Sequence, residues 1–204
     1  MQRNVHALQQ WVQQHCHKVA GLDEAGRGCL AGPVVAAAVV LPQQHSIVGL
    51  NDSKKLSPQQ RLHLYYSIRS HACCIGVSCA SPKKVDQINV LQASLQAMKM
   101  AFTQAQANSP THLIGALTDG PHQAPLPADI IQHALVRADA QYACVMAASI
   151  VAKVVRDRLM QLLHAYYPGY GFAQHKGYPT ALHRQTLKQL GLCPIHRRSF
   201  TGVS

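Results

Sequence analysis

The stretch Val19–Leu41, VAGLDEAGRGCLAGPVVAAAVVL, carries the reading of the fold. Val19 to Leu22 is a short apolar run that ends at two adjacent acids, Asp23 and Glu24. A glycine-punctuated turn follows, Gly26-Arg27-Gly28 and then Gly32-Pro33, before a second apolar run from Val34 to Leu41. That second run is built of small and β-branched residues without polar alternation, which predicts a strand buried on both faces. The two runs are joined closely enough to be antiparallel neighbours. Among 204 residues only eight are acidic and Glu24 is the sole glutamate, so chance would place roughly 0.3 adjacent acidic pairs in the chain. Two neighbouring carboxylates in an apolar setting repel each other and lose hydration, and a divalent cation is the usual compensation. The plainer alternative is an acidic cap on the turn.

Gly26-Arg27-Gly28-x-x-x-Gly32 also resembles a dinucleotide-binding loop, but that motif needs a helix directly after it to aim its N-terminus at pyrophosphate. Here Pro33 and an apolar strand follow, and Asp23-Glu24 would oppose the phosphates, so that reading fails.

Outward from this hairpin the order of elements is α/β. Residues 1–18 are polar and rich in Gln and His, and are expected to be a loose lead-in with a short helix around Leu8 to Val12. Ser57-Pro58-Gln59-Gln60 combines an N-cap, a first-turn proline and a capping-box glutamine, predicting a helix to about Ser70. Ala72 to Ala80 reads as a third strand, Ser81-Pro82 starts a helix, and Asn89 caps a longer one with Leu91, Leu95, Met98, Phe102 and Ala105 on its apolar side. Leu113 to Leu117 and Ile130 to Val136 are the remaining strands, leading to Asp119-Gly120 and Asp139. A long helix is predicted over Ala147 to Tyr166, with Ala148, Val151, Val155, Leu159 and Leu162 inward and Lys153 and Arg156 off that stripe. A loop rich in glycine and aromatics, Tyr166 to Tyr178, precedes a helix over Thr180 to Leu190 that Gly191 terminates. The last recognisable segment is His196-Arg197-Arg198-Ser199-Phe200.

The net charge of +11 points to a polyanionic partner, nucleic acid before membrane, and the 48% apolar content excludes a disordered chain. Seven cysteines without paired C-x-x-C spacing read as reduced thiols rather than a zinc site, and Cys193-Pro-Ile-His196 lacks a second half. No apolar run is long enough to span a bilayer and no signal region is seen, so a cytoplasmic protein without membrane contact is expected. Three acidic positions follow strand-like runs: Asp23-Glu24, Asp119 and Asp139. Converging strand ends would offer hard oxygen ligands to Mg²⁺ or Mn²⁺, and a basic surface around them implies phosphodiester chemistry. Asp52 and Asp129 are read as turn residues, Asp86 as a helical start and Asp157 as the partner of a helix arginine.

LDEAGRGCLAGPVVAAAVVL, NDSKKLS, TDG, RAD…AASIVAKVVRD, YGFAQHKGYPT and HRRSF occur in that order between Val19 and Phe200. In these motifs the chain resembles the bacterial ribonuclease HII family. The resemblance implies a ribonuclease H-like fold, a mixed five-stranded sheet flanked by helices with a C-terminal helical segment. It implies a catalytic core over 19–166 and a basic substrate-binding segment over 167–204 of the same domain. It also implies metal-dependent endonucleolytic cleavage of RNA in RNA–DNA hybrids, nicking 5′ to single ribonucleotides in duplex DNA, and 3′-hydroxyl and 5′-phosphate ends, as in ribonucleotide excision repair. The family's four catalytic and metal-binding carboxylates fall on Asp23, Glu24, Asp119 and Asp139, with Mn²⁺ or Mg²⁺ as cofactor. Its glycine-arginine-glycine motif falls on Gly26, Arg27 and Gly28, where backbone would approach the ribose 2′-hydroxyl. Its junction-sensing tyrosine falls on Tyr178. Further substrate contacts are expected from Lys54, Lys55, Ser149, Lys153, Arg197 and Arg198, as phosphate-positioning groups in the case of the basic residues. For His175 and His196, stacking or surface roles are expected.

Cys29 stands where proline is common in the family, Arg137-Ala138-Asp139-Ala140 replaces the commoner lysine-glycine-aspartate-serine, and Cys144-Val145-Met146 replaces a more polar stretch. Cys29 reads as a small core filler, not a nucleophile, because no partner histidine is evident. A monomer is expected, and with four residues after Phe200 a sliding-clamp contact is not. The competing readings are a ribonuclease HIII-like nuclease, which usually has an additional N-terminal domain, and a non-catalytic nucleic-acid-binding module, which would gain nothing from clustered carboxylates.

Overall fold

The apolar runs on either side of the Gly26–Gly32 turn form the strands β1 (Val19–Ala25) and β2 (Val34–Val40), paired antiparallel with Asp23 opposite Ala37. The structure is a computed structural model and describes residues 2–50 and 53–203. Around this hairpin are α1 (Gln2–His15), α2 (Pro58–His71), β3 (Cys74–Ala80), α3 (Pro82–Ile88), α4 (Val90–Asn108), β4 (Gly115–Asp119), β5 (Ile131–Leu135), α5 (Ala143–Tyr166), α6 (Phe172–His175) and α7 (Ala181–Leu190). The strands make one mixed sheet in the order β3-β2-β1-β4-β5, antiparallel at β3-β2-β1 and parallel at β1-β4-β5. This is the mixed five-stranded sheet flanked by helices that the family resemblance implies, and its β1–β2 pair is the antiparallel hairpin read from the sequence.

β2 is buried on both faces, as its unbroken apolar run requires. Val34, Ala36, Ala38 and Val40 meet Ala97, Ala101 and Phe102 of α4 on one side. Ala37 and Val39 meet Ile68 of α2 and Ala147 and Val151 of α5 on the other. Strand β1 approaches α5 so closely that a Cβ at Gly21 would stand 2.2 Å from the Cys144 carbonyl carbon. Local capping follows the sequence: Ser57 and Gln60 bond reciprocally at α2 (3.2 and 2.9 Å), and the Asn89 side chain accepts the Gln92 N–H at 3.0 Å to start α4.

Three expectations are corrected. The lead-in is a 14-residue helix, α1, rather than a loose segment with one short turn. Its polar surface carries only a sparse apolar stripe, but Leu8, Trp11 and Val12 dock on Val19, Leu117 and Val145, and that tertiary contact is what favours the helix. α5 begins at Ala143, four residues before the predicted Ala147, with Cys144 and Val145 buried. Along α5 the buried face also rotates: Leu162 is 63% exposed whereas Arg156 is 0% exposed, because Ala31, Met160, Phe172 and Cys193 form a second small core under the C-terminal segment. Asp52 and the side chain of Lys55 lie outside the described residues.

Candidate active site

Asp23 and Asp119 are neighbours because of register. In the parallel β1–β4 pair Leu22 lies beside Thr118, so the next residue of each strand is an aspartate. β5 pairs with β4 up to Leu135 beside Asp119, and the chain then turns through Arg137, in left-handed conformation at φ 62°, into a 3-10 turn over Ala138–Ala140. That turn brings Asp139 back to the same strand ends, its backbone N–H 3.5 Å from Asp119 Oδ1. One carboxylate oxygen from each of Asp23, Asp119 and Asp139 lies within 4.8 Å of the others. Among the described residues Glu24 does not join this cluster. Successive strand residues point to opposite faces, and its Oε1 instead accepts from Arg27 Nη1 at 3.1 Å.

The cluster is short of positive charge. Burial, then the charges of Glu24 and Asp119, push the Asp23 carboxyl well above the usual carboxylate range. Burial and the Asp139 charge raise Asp119, and burial raises Glu24 in spite of Arg27. Lys54 reaches in from the basic side, its Nζ 3.4 Å from Asp139 Oδ2. Three buried or half-buried oxygen donors with repelling charges, from Asp23, Asp119 and Asp139, could hold a hard divalent cation.

The Gly26–Gly28 turn leads directly out of β1 beside these acids. Gly26 has φ +98°, and a Cβ there would lie 2.0 Å from Arg156 Nε, so the interior itself requires glycine. Gly28 is exposed, has no such conformation, and a Cβ added to it would meet nothing within 4 Å. Among the described residues no group accounts for that glycine. The turn is tied to the Tyr178 loop by the Leu30 N–H, which donates to Gly177 O at 2.9 Å. The half-exposed Tyr178 ring lies 5.2 Å from Lys153 Nζ and 5.7 Å from the Arg156 guanidinium carbon, and its hydroxyl is hydrogen-bonded with the buried Cys29 thiol. Burial raises that thiol, which suits a packing residue and not a nucleophile.

Several expected contacts sit elsewhere. Arg197, expected at a phosphate, is fully buried: it donates to Gly32 O through Nε and Nη2 and to Arg27 O through Nη1 at 2.8 Å. Arg156 likewise donates to the carbonyls of Pro33, Lys176 and Ala31. The pair braces the turn from beneath. Ser149, expected at the substrate, is buried below the acids, its Oγ 2.7 Å from Ser53 Oγ and bonded to Asp23. Lys153 bonds Asp157 at 2.7 Å and Arg198 is exposed. Asp86 is more than a helical start: it accepts the N–H groups of Arg198 (3.0 Å) and Ser199 (2.9 Å) and so anchors the C-terminal segment. His175 stacks on His183 while His196 meets His183 only at a tilt of 42°, and all three are buried rather than on the surface; sequence reading passed over His183. Spacing alone offers no signal that three histidines separated by a loop and a helix share one interior.

The sequence model of the family described as Ribonuclease HII matches residues 20–203. A ribonuclease HII of Syntrophotalea carbinolica is 47% identical over 195 residues, covering 96% of this chain and 90% of its own. The crystal structure of ribonuclease H2 from Pyrococcus horikoshii OT3 superposes with a TM-score of 0.73 at 30% identity, covering 91% of this chain and 94% of that one. A Bst-RNase HIII structure in complex with Mn²⁺ superposes at 0.76 with 18% identity, covering 94% of this chain and 70% of that one, which is a likeness of fold. With that family's pattern running through nearly all of a ribonuclease H-like fold that gathers the expected aspartates, the chain belongs to the ribonuclease HII family and is a ribonuclease H endonuclease.

Proposed function

We propose that the protein nicks duplex DNA on the 5′ side of a single embedded ribonucleotide as well as cleaving the RNA strand of hybrids, leaving 3′-hydroxyl and 5′-phosphate ends. The observation that carries this reading is the exposed Gly28, open where a substrate backbone would enter, beside the acidic cluster and tied to the Tyr178 loop. A 2′-hydroxyl is the group that distinguishes a ribonucleotide at one position, and backbone groups of Gly26–Gly28 are placed to sense it. Tyr178 then meets the neighbouring deoxynucleotide, with the Lys153 and Arg156 cations over its ring. Lys54, Lys153 and Arg198 position phosphates, while Arg156 and Arg197 keep the sensing turn in shape.

Asp23, Asp119 and Asp139 hold Mn²⁺ or Mg²⁺, and Glu24, its charge offset by Arg27, tunes the cluster. When bound, such cations supply activation of the attacking water and stabilisation of the departing 3′-oxygen. Ser149 and Ser53 fix the Asp23 carboxylate from below. The test uses a DNA duplex with one ribonucleotide, an all-DNA duplex and an RNA–DNA hybrid, each with Mg²⁺, Mn²⁺ or chelator, with product ends mapped. Metal-dependent nicking 5′ to the ribonucleotide is expected. Cleavage of the hybrid alone would retire the roles of Gly26–Gly28 and Tyr178, and binding without cleavage of either would refute the catalytic reading.

A further inference from the structure

The second core beneath the C-terminal segment holds His175, His183 and His196, which are 6%, 0% and 3% exposed. They surround the buried Phe172 ring, and His175 stacks on His183 with centroids 4.3 Å apart and planes at 14°. Among the described residues none of the three is bonded to a carboxylate. The charged groups facing His175 and His183 are basic or neutral: Lys176 and His164 toward His175, and Arg184 toward His183. Cys193 contacts His196, which shares a cleft with Lys83, Asp86 and Arg198.

The hydrogen bonds leave one arrangement of protons. His183 Nδ1 lies 2.9 Å from the Tyr178 carbonyl, which only accepts, so Nδ1 carries the proton and Nε2 of a neutral ring is bare. His196 Nε2 lies 3.1 Å from that bare nitrogen and must donate to it. His196 Nδ1 is then an acceptor, and it receives the Cys193 N–H at 3.0 Å. His175 Nε2, 2.7 Å from Tyr170 O, carries its proton, and its Nδ1 accepts the Gly177 N–H at 3.1 Å. Adding a proton to His175 or His183 sets two N–H groups against each other, and a proton on His196 Nδ1 would face the Cys193 N–H at 3.0 Å with the Cys193 carbonyl, at 3.3 Å, as its acceptor. Burial lowers all three, His196 to about 4.

Both ends of this network close on one residue. The Tyr178 N–H donates to His175 O at 2.9 Å, and the Tyr178 carbonyl accepts from His183. From this geometry we infer that His175, His183 and His196 form a neutral imidazole lock that positions Tyr178 against the Gly26–Gly28 turn, with His183 as the positioning residue. The inference rests on the proposed junction role of Tyr178 for its consequence in cleavage, but the proton arrangement stands independently of it.

The experiment has two parts. Long-range ¹H–¹⁵N spectra of the intact protein at pH 7 should show His183 as the Nδ1–H tautomer and His175 and His196 as Nε2–H tautomers, all neutral. A charged ring, or His183 in the other tautomer, overturns the lock even if no cleavage is measured. In kinetics, His183→Phe removes the bond to Tyr178 and should lower kcat/KM on the single-ribonucleotide duplex by about tenfold, the scale of one positioning hydrogen bond. Hybrid cleavage should be little affected. His183→Asn, whose amide replaces the Nδ1 donor, should recover most of the loss. Equal losses on both substrates with no recovery in His183→Asn mean a merely structural residue and refute the positioning role. If the native protein nicks only the hybrid, the junction reading fails while the spectra still decide the lock.

Discussion

Replacing Asp119 by the near-isosteric amide, Asp119→Asn, separates the charge of the cluster from its shape. Asp119 lies within 4.8 Å of both Asp23 and Asp139, a distance at which each ionised pair repels by about 3.5 kcal/mol at an effective dielectric of about 20. Solvent over the half-buried Asp119 and the Lys54 charge beside Asp139 reduce this, leaving a net relief of roughly 1–2 kcal/mol in chelator. At about 2–4 °C per kcal/mol for a chain of this size, the chelated variant should melt about 2–8 °C above the chelated native protein. With Mn²⁺ the order should reverse. At a cation concentration of a hundred times Kd, linkage stabilises the native protein by about 2.7 kcal/mol, whereas the variant, with one ligand charge gone, gains little. Cleavage of the hybrid should fall to about 1% or less, as losses at metal-site groups reach a hundredfold. Melting curves in chelator and in Mn²⁺, beside a hybrid-cleavage assay, read all three quantities. A chelated variant less stable than the native protein, or one that keeps the whole Mn²⁺ shift, would refute the account of a repelling cluster that a cation neutralises.

Gly28→Ala should leave the melting temperature unchanged, since an added Cβ meets nothing within 4 Å, and should depress nicking at a single ribonucleotide. Gly26→Ala, by contrast, forces a Cβ into Arg156 at φ +98° and should destabilise the fold by about 1–3 kcal/mol or more in denaturant titration. Arg156→Met strips the donors from three buried carbonyls and should cost roughly 3 kcal/mol, with no gain on adding salt, as a solvated charge would allow. Because His196 is held to about 4 when folded against an unfolded value near 6.5, the unfolded chain binds the extra proton between these values. Stability from this group is therefore complete above about pH 6.5 and declines by up to about 1.4 kcal/mol per pH unit as the pH falls toward 4. His196→Gln should flatten that part of the pH–stability curve relative to the native protein, and an unchanged slope would remove His196 as its source.

Much of this protein was legible along the chain. The unbroken apolar run of β2, the capping box at Ser57, the Asn89 cap and the strand-terminal aspartates are local signals, because propensity, capping and period depend on residues a few positions apart. What failed depended on partners far away in sequence. α1 has too few apolar residues to announce itself and is held by docking on Val19, Leu117 and Val145. Arg197 reads as a phosphate contact and Arg156 as a residue off the apolar stripe, since nothing near them in sequence says that carbonyls of the Ala31–Pro33 and Arg27 backbone await their guanidinium groups.

The acidic cluster divides in the same way. The sequence by itself determined which residues are acidic, that Asp23, Asp119 and Asp139 follow strands, and that so few acids in a basic chain make an adjacent pair improbable. Only the tertiary structure decided which carboxylates meet. Parallel register sets Asp119 beside Asp23, a left-handed turn at Arg137 returns Asp139 to them, and alternation along β1 directs Glu24 to Arg27 instead. Adjacency in sequence is a covalent fact, whereas adjacency in the site is set by strand order and register, which arise only when the sheet is assembled.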